Sequence, residues 1–105
     1  MDPEPNAPST TVDVRHEPEQ SRYTIWRNGE AVGLARYSSS ARAITFVHTE
    51  VDPQFRGAGL ASTLVRCALD DVREHSDLPV VSQCPYLSSW LTTHADYQDL
   101  LTRGT

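Results

Sequence analysis

Two glycines stand directly in front of an apolar helical pattern in the segment QFRGAGLA, residues 54–61. Residues 56–60 include no Ser, Thr, Asp or Asn, so the first N–H groups of that helix have no ordinary side-chain cap. A glycine-rich turn between a strand and a helix points free backbone N–H groups and the positive end of the helix dipole at an anion. The segment therefore predicts a phosphate-binding turn, and a plain glycine-rich connection is the alternative.

The spacing within this turn does not match the two commonest phosphate loops. The turn lacks the Gly-Lys-Ser/Thr ending of a P-loop, and Ser62 stands where a dinucleotide-binding fingerprint has its third glycine. The pattern that remains is Gln54-x-x-Gly57-x-Gly59. It resembles the Q/R-x-x-G-x-G/A pyrophosphate loop with which the Gcn5-related N-acetyltransferases hold acetyl-CoA.

Three further motifs surround the turn in the order and spacing of a small subfamily of these acetyltransferases, the YjdJ-like proteins. They are TEV at residues 49–51, CPY at residues 84–86 and HADY at residues 94–97. The chain is similar to this subfamily over residues 12–101. Within HADY, alanine and aspartate replace the proline and the glutamate that the subfamily usually has.

The resemblance implies a site for acetyl-CoA, used as a co-substrate without a metal. The pyrophosphate would lie on the turn, with the Arg56 guanidinium adding a charge-assisted contact. The pantetheine arm would lie between two parallel strands that separate near Val51 and Cys84. The predicted cofactor-binding residues are Thr49, Val51, Gln54, Arg56, Gly57, Ala58, Gly59, Leu60, Ala61, Tyr86, His94 and Tyr97. For Tyr97, closing the core is the preferred alternative.

Acetyl transfer to an amine needs a neutral amine, a stabilised oxyanion and a proton for the departing thiolate. The candidate catalytic residues are Cys84, Glu50 and His48. The resemblance places Cys84 beside the CoA sulfur, and its role as acetyl carrier, proton donor or packing residue stays open because a direct role needs a thiolate. Glu50 and His48 are candidate bases, with a solvated edge carboxylate and a hydrogen-bonded core histidine as the respective alternatives.

The elements that position these residues follow from the apolar periodicity. Alternation predicts a short strand near Val12, a hairpin about the Asn28-Gly29 turn, and a strand over residues 43–51 with Ile44, Phe46, His48 and Glu50 on one face. From Leu60 to Val72, apolar residues recur at helical spacing and predict a helix that packs on the sheet.

The remaining segments complete a single α/β (α+β) domain. Residues 78–84 are predicted to form a strand, and residues 87–94 a helix capped by Ser88 or Ser89, followed by one or two helical turns over residues 96–101. We expect a minimal acetyltransferase-like domain over residues 11–105, with a mixed, mostly antiparallel sheet, a long helix after the CoA loop and a C-terminal helical segment. Residues 1–10 hold three prolines and are expected to form a disordered tail.

Composition limits the partners. The 105 residues carry 9 Lys plus Arg against 14 Asp plus Glu, and this net charge of -5 argues against broad contact with nucleic acid or an anionic membrane. The chain has no apolar run of the roughly 18 residues that a membrane span needs. Its two cysteines are in no metal-ligand spacing. We therefore expect a cytoplasmic protein with no metal, nucleic-acid partner or membrane partner.

The acceptor side is expected to be open. Residues 17–22 alone separate the first two predicted strands, where acetyltransferases of ordinary length carry two helices that form a wall of the acceptor pocket. An open site suits a large amine acceptor, such as a protein lysine or N-terminus, or else a partner chain that supplies the missing wall. The predicted function is acetyl-CoA-dependent N-acetyl transfer; the alternatives are a non-catalytic CoA- or acyl-CoA-binding module and a plain interaction domain.

Overall fold

A computed structural model describes residues 11–55 and 59–103 of the chain. Within these residues, five strands form one sheet in the order β1-β2-β3-β4-β5, with β5 parallel to β4 and the other pairs antiparallel. The elements are β1 Val12–Glu17, β2 Arg22–Arg27, β3 Glu30–Ser39, β4 Ile44–Val51, α1 Leu60–His75, β5 Val80–Ser82 and α2 Pro85–Thr92, with 3₁₀ turns at Pro18–Gln20, Pro53–Phe55 and Ala95–Leu101. The predicted tail, residues 1–10, lies outside the described residues, and no helix within them is both long and apolar enough to cross a bilayer.

The core lies between the sheet and one stripe of α1. The buried residues of α1 are Leu60, Leu64, Val65, Ala68, Leu69 and Val72, which repeat at the spacing that the sequence predicts. Leu64 and Leu69 are fully buried. The stripe positions α1 so that its first turn lies beside the end of β4.

The segment that follows α1 differs from the prediction in the length of its strand and in the cap of its helix. The strand β5 covers three residues instead of seven, because the chain leaves the sheet to place Cys84 at the N-cap of α2. Pro85 then occupies the first helical position, where its missing N–H needs no intrahelical partner. The predicted Ser88 or Ser89 cap is therefore wrong, since both residues lie inside α2.

A β-bulge interrupts β4 at Val47. Arg36 of β3 pairs with His48, whereas the next residue, Tyr37, pairs with Phe46. Val47 is therefore the extra residue of β4, with no partner in the register. Such a bulge bends the strand and changes which side chains share a face.

The bulge overturns the predicted face of β4. Ile44 and Phe46 are buried, and beyond the bulge Val51 packs against the same core. The side chains of His48 and Glu50 are 54% and 61% exposed, so they lie on the other side of the sheet from Ile44 and Phe46. The alternating pattern misplaces them because it counts every residue of the strand as part of the regular pleat.

The connection between β1 and β2 is one short 3₁₀ turn, Pro18–Gln20. No α-helix occurs between these two strands, whose connecting residues all belong to the described part of the chain. This edge of the molecule therefore lacks the helical wall expected in acetyltransferases of ordinary length.

Candidate functional site

A groove of about 640 Å³ lies between the second half of β4 and the first turn of α1. It is lined by His48, Thr49, Glu50, Val51, Phe55, Gly59, Leu60, Ala61, Ser62 and Tyr86. Eight of these ten residues were predicted as site residues from the sequence. Phe55 and Ser62 were not predicted, although Phe55 lies within the segment 54–61 and Ser62 directly follows it, so position along the chain could have indicated both.

The first turn of α1 opens into this groove without a side-chain cap. Gly59 is the N-cap residue and has φ 78° and ψ 10°, the left-handed conformation that glycine adopts without strain. No side chain among the described residues caps the helix. A Cβ added at Gly59 would meet no atom of residues 11–55 or 61–103 within 4 Å, so open space adjoins the first N–H groups in this described part. Backbone N–H groups and the helix dipole together make this end of α1 suitable for an anion.

The strands β4 and β5 separate at the groove. Their register ends with Phe46 opposite Ser82, and the last backbone bond runs from the N–H of Gln83 to the carbonyl of Phe46, at 2.8 Å. The bulge at Val47 follows immediately. From there, the groove-lining part of β4 has no β5 residue opposite it in the described register, so one edge of this backbone is available to a ligand.

Cys84 lies where the two strands separate. Its thiol donates to Thr49 Oγ1 at 3.3 Å, and the residue is 2% exposed. Thr49 lines the groove and Cys84 lies behind it. In this geometry, a ligand in the groove meets the Thr49 side of the pair first.

His48 and Glu50 form a hydrogen-bonded pair at the mouth of the groove. His48 Nε2 and Glu50 Oε1 are 2.8 Å apart, and both side chains are largely exposed. The core alternative for His48 is therefore wrong. A carboxylate at this distance orients the imidazole at the groove, which is an arrangement able to accept a proton.

Tyr86 and Ser62 form the opposite side of the groove. Burial raises the pKa of the Tyr86 hydroxyl, and a hydrogen bond with Ser62 opposes that rise. The hydroxyl therefore keeps its proton at neutral pH and can act as a hydrogen-bond donor. Ser62 Oγ also accepts a hydrogen bond from the indole N–H of Trp90 at 2.8 Å, which ties α2 to the first turn of α1.

Known proteins resemble this chain in sequence over most of its length. The family model described as GCN5-related N-acetyl-transferase matches residues 22–100. The chain belongs to this family. It is 32% identical over 87 residues to Protein NATD1 of Xenopus tropicalis, over 80% of this chain and 78% of that protein. It is 34% identical over 83 residues to Protein NATD1 of Homo sapiens, over 76% of this chain and 72% of that protein.

The fold of the family is also found in a solved structure. The crystal structure of ribosomal-protein-alanine N-acetyltransferase from Brucella melitensis biovar Abortus 2308 superposes with a TM-score of 0.52 at 20% identity. The match covers 78% of this chain and 59% of that chain. The predicted superfamily and the α+β fold class are thus confirmed, while the YjdJ-like subfamily stays a prediction.

Two further predicted residues of this GCN5-related domain, His94 and Tyr97, lie away from the groove. His94 stacks on Trp90 with ring centroids 3.7 Å apart, and Tyr97 meets the same indole edge-on at 5.1 Å. Tyr97 is buried, donates to Asp70 Oδ1 at 2.7 Å, and has a pKa raised by that burial. His94 and Tyr97 thus meet at one ring, behind Ser62, and do not line the groove themselves.

The glycine turn is only partly described. Gln54 lies exposed in the 3₁₀ turn, where its N–H is bound to Asp52 Oδ1 at 3.1 Å, and it does not line the groove. The predicted contacts of Arg56, Gly57 and Ala58 lie outside the described residues. Across residues 11–55 and 59–103, no three His, Cys, Asp or Glu side chains are arranged to hold a metal ion.

Proposed function

We propose that this member of the GCN5-related family transfers the acetyl group of acetyl-CoA to an amine, with a protein lysine or N-terminus as the acceptor. The observation that carries the proposal is the uncapped first turn of α1, which opens into a groove walled by the diverging strand β4. Family membership supports the acetyl donor, and the groove supports the way in which it is held.

The groove would supply contacts for two parts of coenzyme A, its diphosphate and its pantetheine arm. Its diphosphate would accept hydrogen bonds from the N–H groups of Leu60, Ala61 and Ser62, beside the open space at Gly59. The pantetheine arm contains amide groups, which would pair with the backbone of β4 where no β5 strand covers it. The groove walls of Val51 and Phe55 would contact the aliphatic part of the arm.

The bound thioester supplies an activated acyl carbon. When the amine nitrogen attacks it, an N–C bond forms, the C–S bond breaks, the nitrogen loses a proton and the thiolate takes one. The His48–Glu50 pair is placed to accept the proton of the amine, since it borders the groove and faces solvent. Tyr86 and Thr49 line the groove with hydroxyl groups, and the Cys84 thiol donates to Thr49, so these three side chains are the candidates for giving a proton to the departing thiolate.

The open edge of the sheet supports a large acceptor. The β1–β2 connection is too short to build a wall over the amine side, so a side chain on a folded partner could reach the His48–Glu50 pair. The net charge of -5 favours a cationic amine, by a modest amount.

The test combines a binding and a turnover measurement. Calorimetry with acetyl-CoA should show binding, and release of free CoA thiol should require an added amine. Binding without acceptor-dependent thiol release would instead identify a CoA-binding module, and absence of binding would leave an interaction domain. Mass spectrometry of a proteome extract after incubation with the protein and labelled acetyl-CoA would identify the acceptor.

Substitutions of His48, Glu50 and Cys84 test the role of each side chain separately. Glu50→Gln and His48→Gln should lower turnover while CoA affinity stays within about twofold, because both side chains are exposed and neither supports the core. Cys84→Ala should keep CoA binding. Full acetyl transfer in that variant would remove the thiol from the chemistry.

A further inference from the structure

A cationic side chain lies one helical turn beyond the groove on α1. Arg66 follows Ser62 by four residues, so the two lie on the same face of the helix, about 6 Å apart along its axis. The Arg66 guanidinium carbon lies 5.5 Å from the centre of the Trp90 ring and 5.7 Å from that of Tyr97. Because the Trp90 indole also binds Ser62, this aromatic cluster lies directly behind a residue that lines the groove.

Arg66 differs from Arg22 and Arg73 in its electrostatic partners. Each of those two arginines has a carboxylate oxygen at 2.8 Å. No carboxylate of the described residues lies within ion-pair distance of Arg66, whose closest polar contact is the Tyr97 hydroxyl at 3.5 Å. The Tyr97 hydroxyl in turn donates to Asp70, so Arg66 is linked to the Asp70 carboxylate only through Tyr97. Arg66 is thus an exposed cation that contacts two aromatic rings. Its guanidinium forms no ion pair with a carboxylate of the described residues.

Resting on the proposed function, we propose that Arg66 binds the 3′-phosphate of coenzyme A and lets the protein distinguish CoA from 3′-dephospho-CoA. The 3′-phosphate of coenzyme A is attached to the ribose whose 5′ oxygen carries the diphosphate, so the two groups are only a few bonds apart. A diphosphate bound at the first turn of α1 therefore keeps the 3′-phosphate close to that turn. A phosphate monoester is doubly charged and matches the planar donor fork of a guanidinium.

The aromatic faces make the contact more favourable. A guanidinium that is already stacked on rings loses less conformational freedom when it binds an anion than a free side chain does. His94 covers one side of the Trp90 ring and keeps that ring in place. The predicted motif residues His94 and Tyr97 would then act on the ligand through Trp90 and Arg66, without lining the groove.

The experiment measures dissociation constants of CoA and 3′-dephospho-CoA by calorimetry for four proteins. The unaltered protein should bind CoA about tenfold more tightly than dephospho-CoA, the size expected for one charge-assisted contact at an exposed site. Arg66→Gln should bring the ratio close to one by weakening CoA alone, and Arg66→Lys should keep part of it. The preference should fall as salt is raised.

Arg73→Gln is the matched control. Arg73 lies on the same helix and 5.6 Å from the centre of the Tyr97 ring, but it is bound to Asp99, so its loss should leave the ratio unchanged. Equal affinities in the unaltered protein, or a ratio that survives in Arg66→Gln, would overturn the role of Arg66 and leave CoA binding standing. Failure of the unaltered protein to bind either form would overturn the proposed function together with this inference.

Discussion

The substitution Gly59→Asp tests the groove most directly. It places a carboxylate at the N-cap of α1, where an added Cβ meets no atom of the described residues within 4 Å and the diphosphate is proposed to lie. Gly29 supplies the control, because it also has a positive φ, 83°, and also has open space at its Cβ position, but lies in the β2–β3 turn. Both Asp variants place a non-glycine residue at a positive φ, which costs conformational free energy at either site. They should therefore differ in their effect on the groove.

The expected loss of affinity can be estimated from Coulomb's law. A carboxylate about 5 Å from one phosphate charge costs about 1 to 3 kcal/mol for effective dielectric constants between about 80 and 20. Each 1.4 kcal/mol is tenfold in the dissociation constant, so Gly59→Asp should weaken CoA binding by a factor between about 5 and about 150. An aspartate that bonds the first N–H groups itself would lower affinity in the same direction, because it would occupy the donors.

The assay is calorimetry with CoA, supported by thermal unfolding. At a CoA concentration 100 times Kd, the unaltered protein should gain about 2.7 kcal/mol, which corresponds to a Tm rise of roughly 10 to 20 °C for a domain of about 100 residues. A tenfold weaker variant would keep about half of that rise. Gly59→Asn separates charge from shape, since asparagine tolerates the same backbone conformation without the negative charge. If Gly59→Asp and Gly29→Asp bind CoA equally well, the first turn of α1 does not hold the diphosphate.

Three further predictions concern stability. Gly33→Ala should cost about 1 to 3 kcal/mol in urea unfolding, because its Cβ would lie 2.8 Å from a backbone carbonyl of β4; an unchanged midpoint would contradict that packing. Ser62→Ala should cost about 1 to 3 kcal/mol by leaving the buried indole N–H of Trp90 without its acceptor, whereas Ser62→Thr should retain much of the stability. The hydrogen bond from Arg22 lowers the pKa of Glu17 below its ordinary value of 4.5. The stabilisation that the ionised Glu17 side chain gives to the folded state is therefore complete above that pH and is lost as the pH falls through the folded-state pKa. The stability difference between the unaltered protein and Glu17→Gln should therefore shrink in unfolding series below pH 4.5, and a difference that stays constant to pH 2 would refute the assignment.

Much of the scaffold could be predicted because it depends on neighbours along the chain. The Asn28-Gly29 turn predicts the β2–β3 hairpin, and the apolar spacing from Leu60 predicts the buried stripe of α1. The missing cap before α1 can likewise be read from residue types alone, and the structure has no side-chain cap there in its described part. The motifs around the turn indicate the family, because the order and spacing of motifs can be read directly from the sequence.

Tertiary structure alone decided how the groove is built. The bulge at Val47 exists only in the pairing of β4 with β3, so a pattern read along β4 puts His48 on the face of Phe46 when it lies on the other. The Cys84–Thr49 contact joins residues 35 apart in sequence, and Trp90 reaches Ser62 across 28. Periodicity reports which face of one element is apolar, whereas strand register and contacts between distant elements depend on the simultaneous packing of the whole domain.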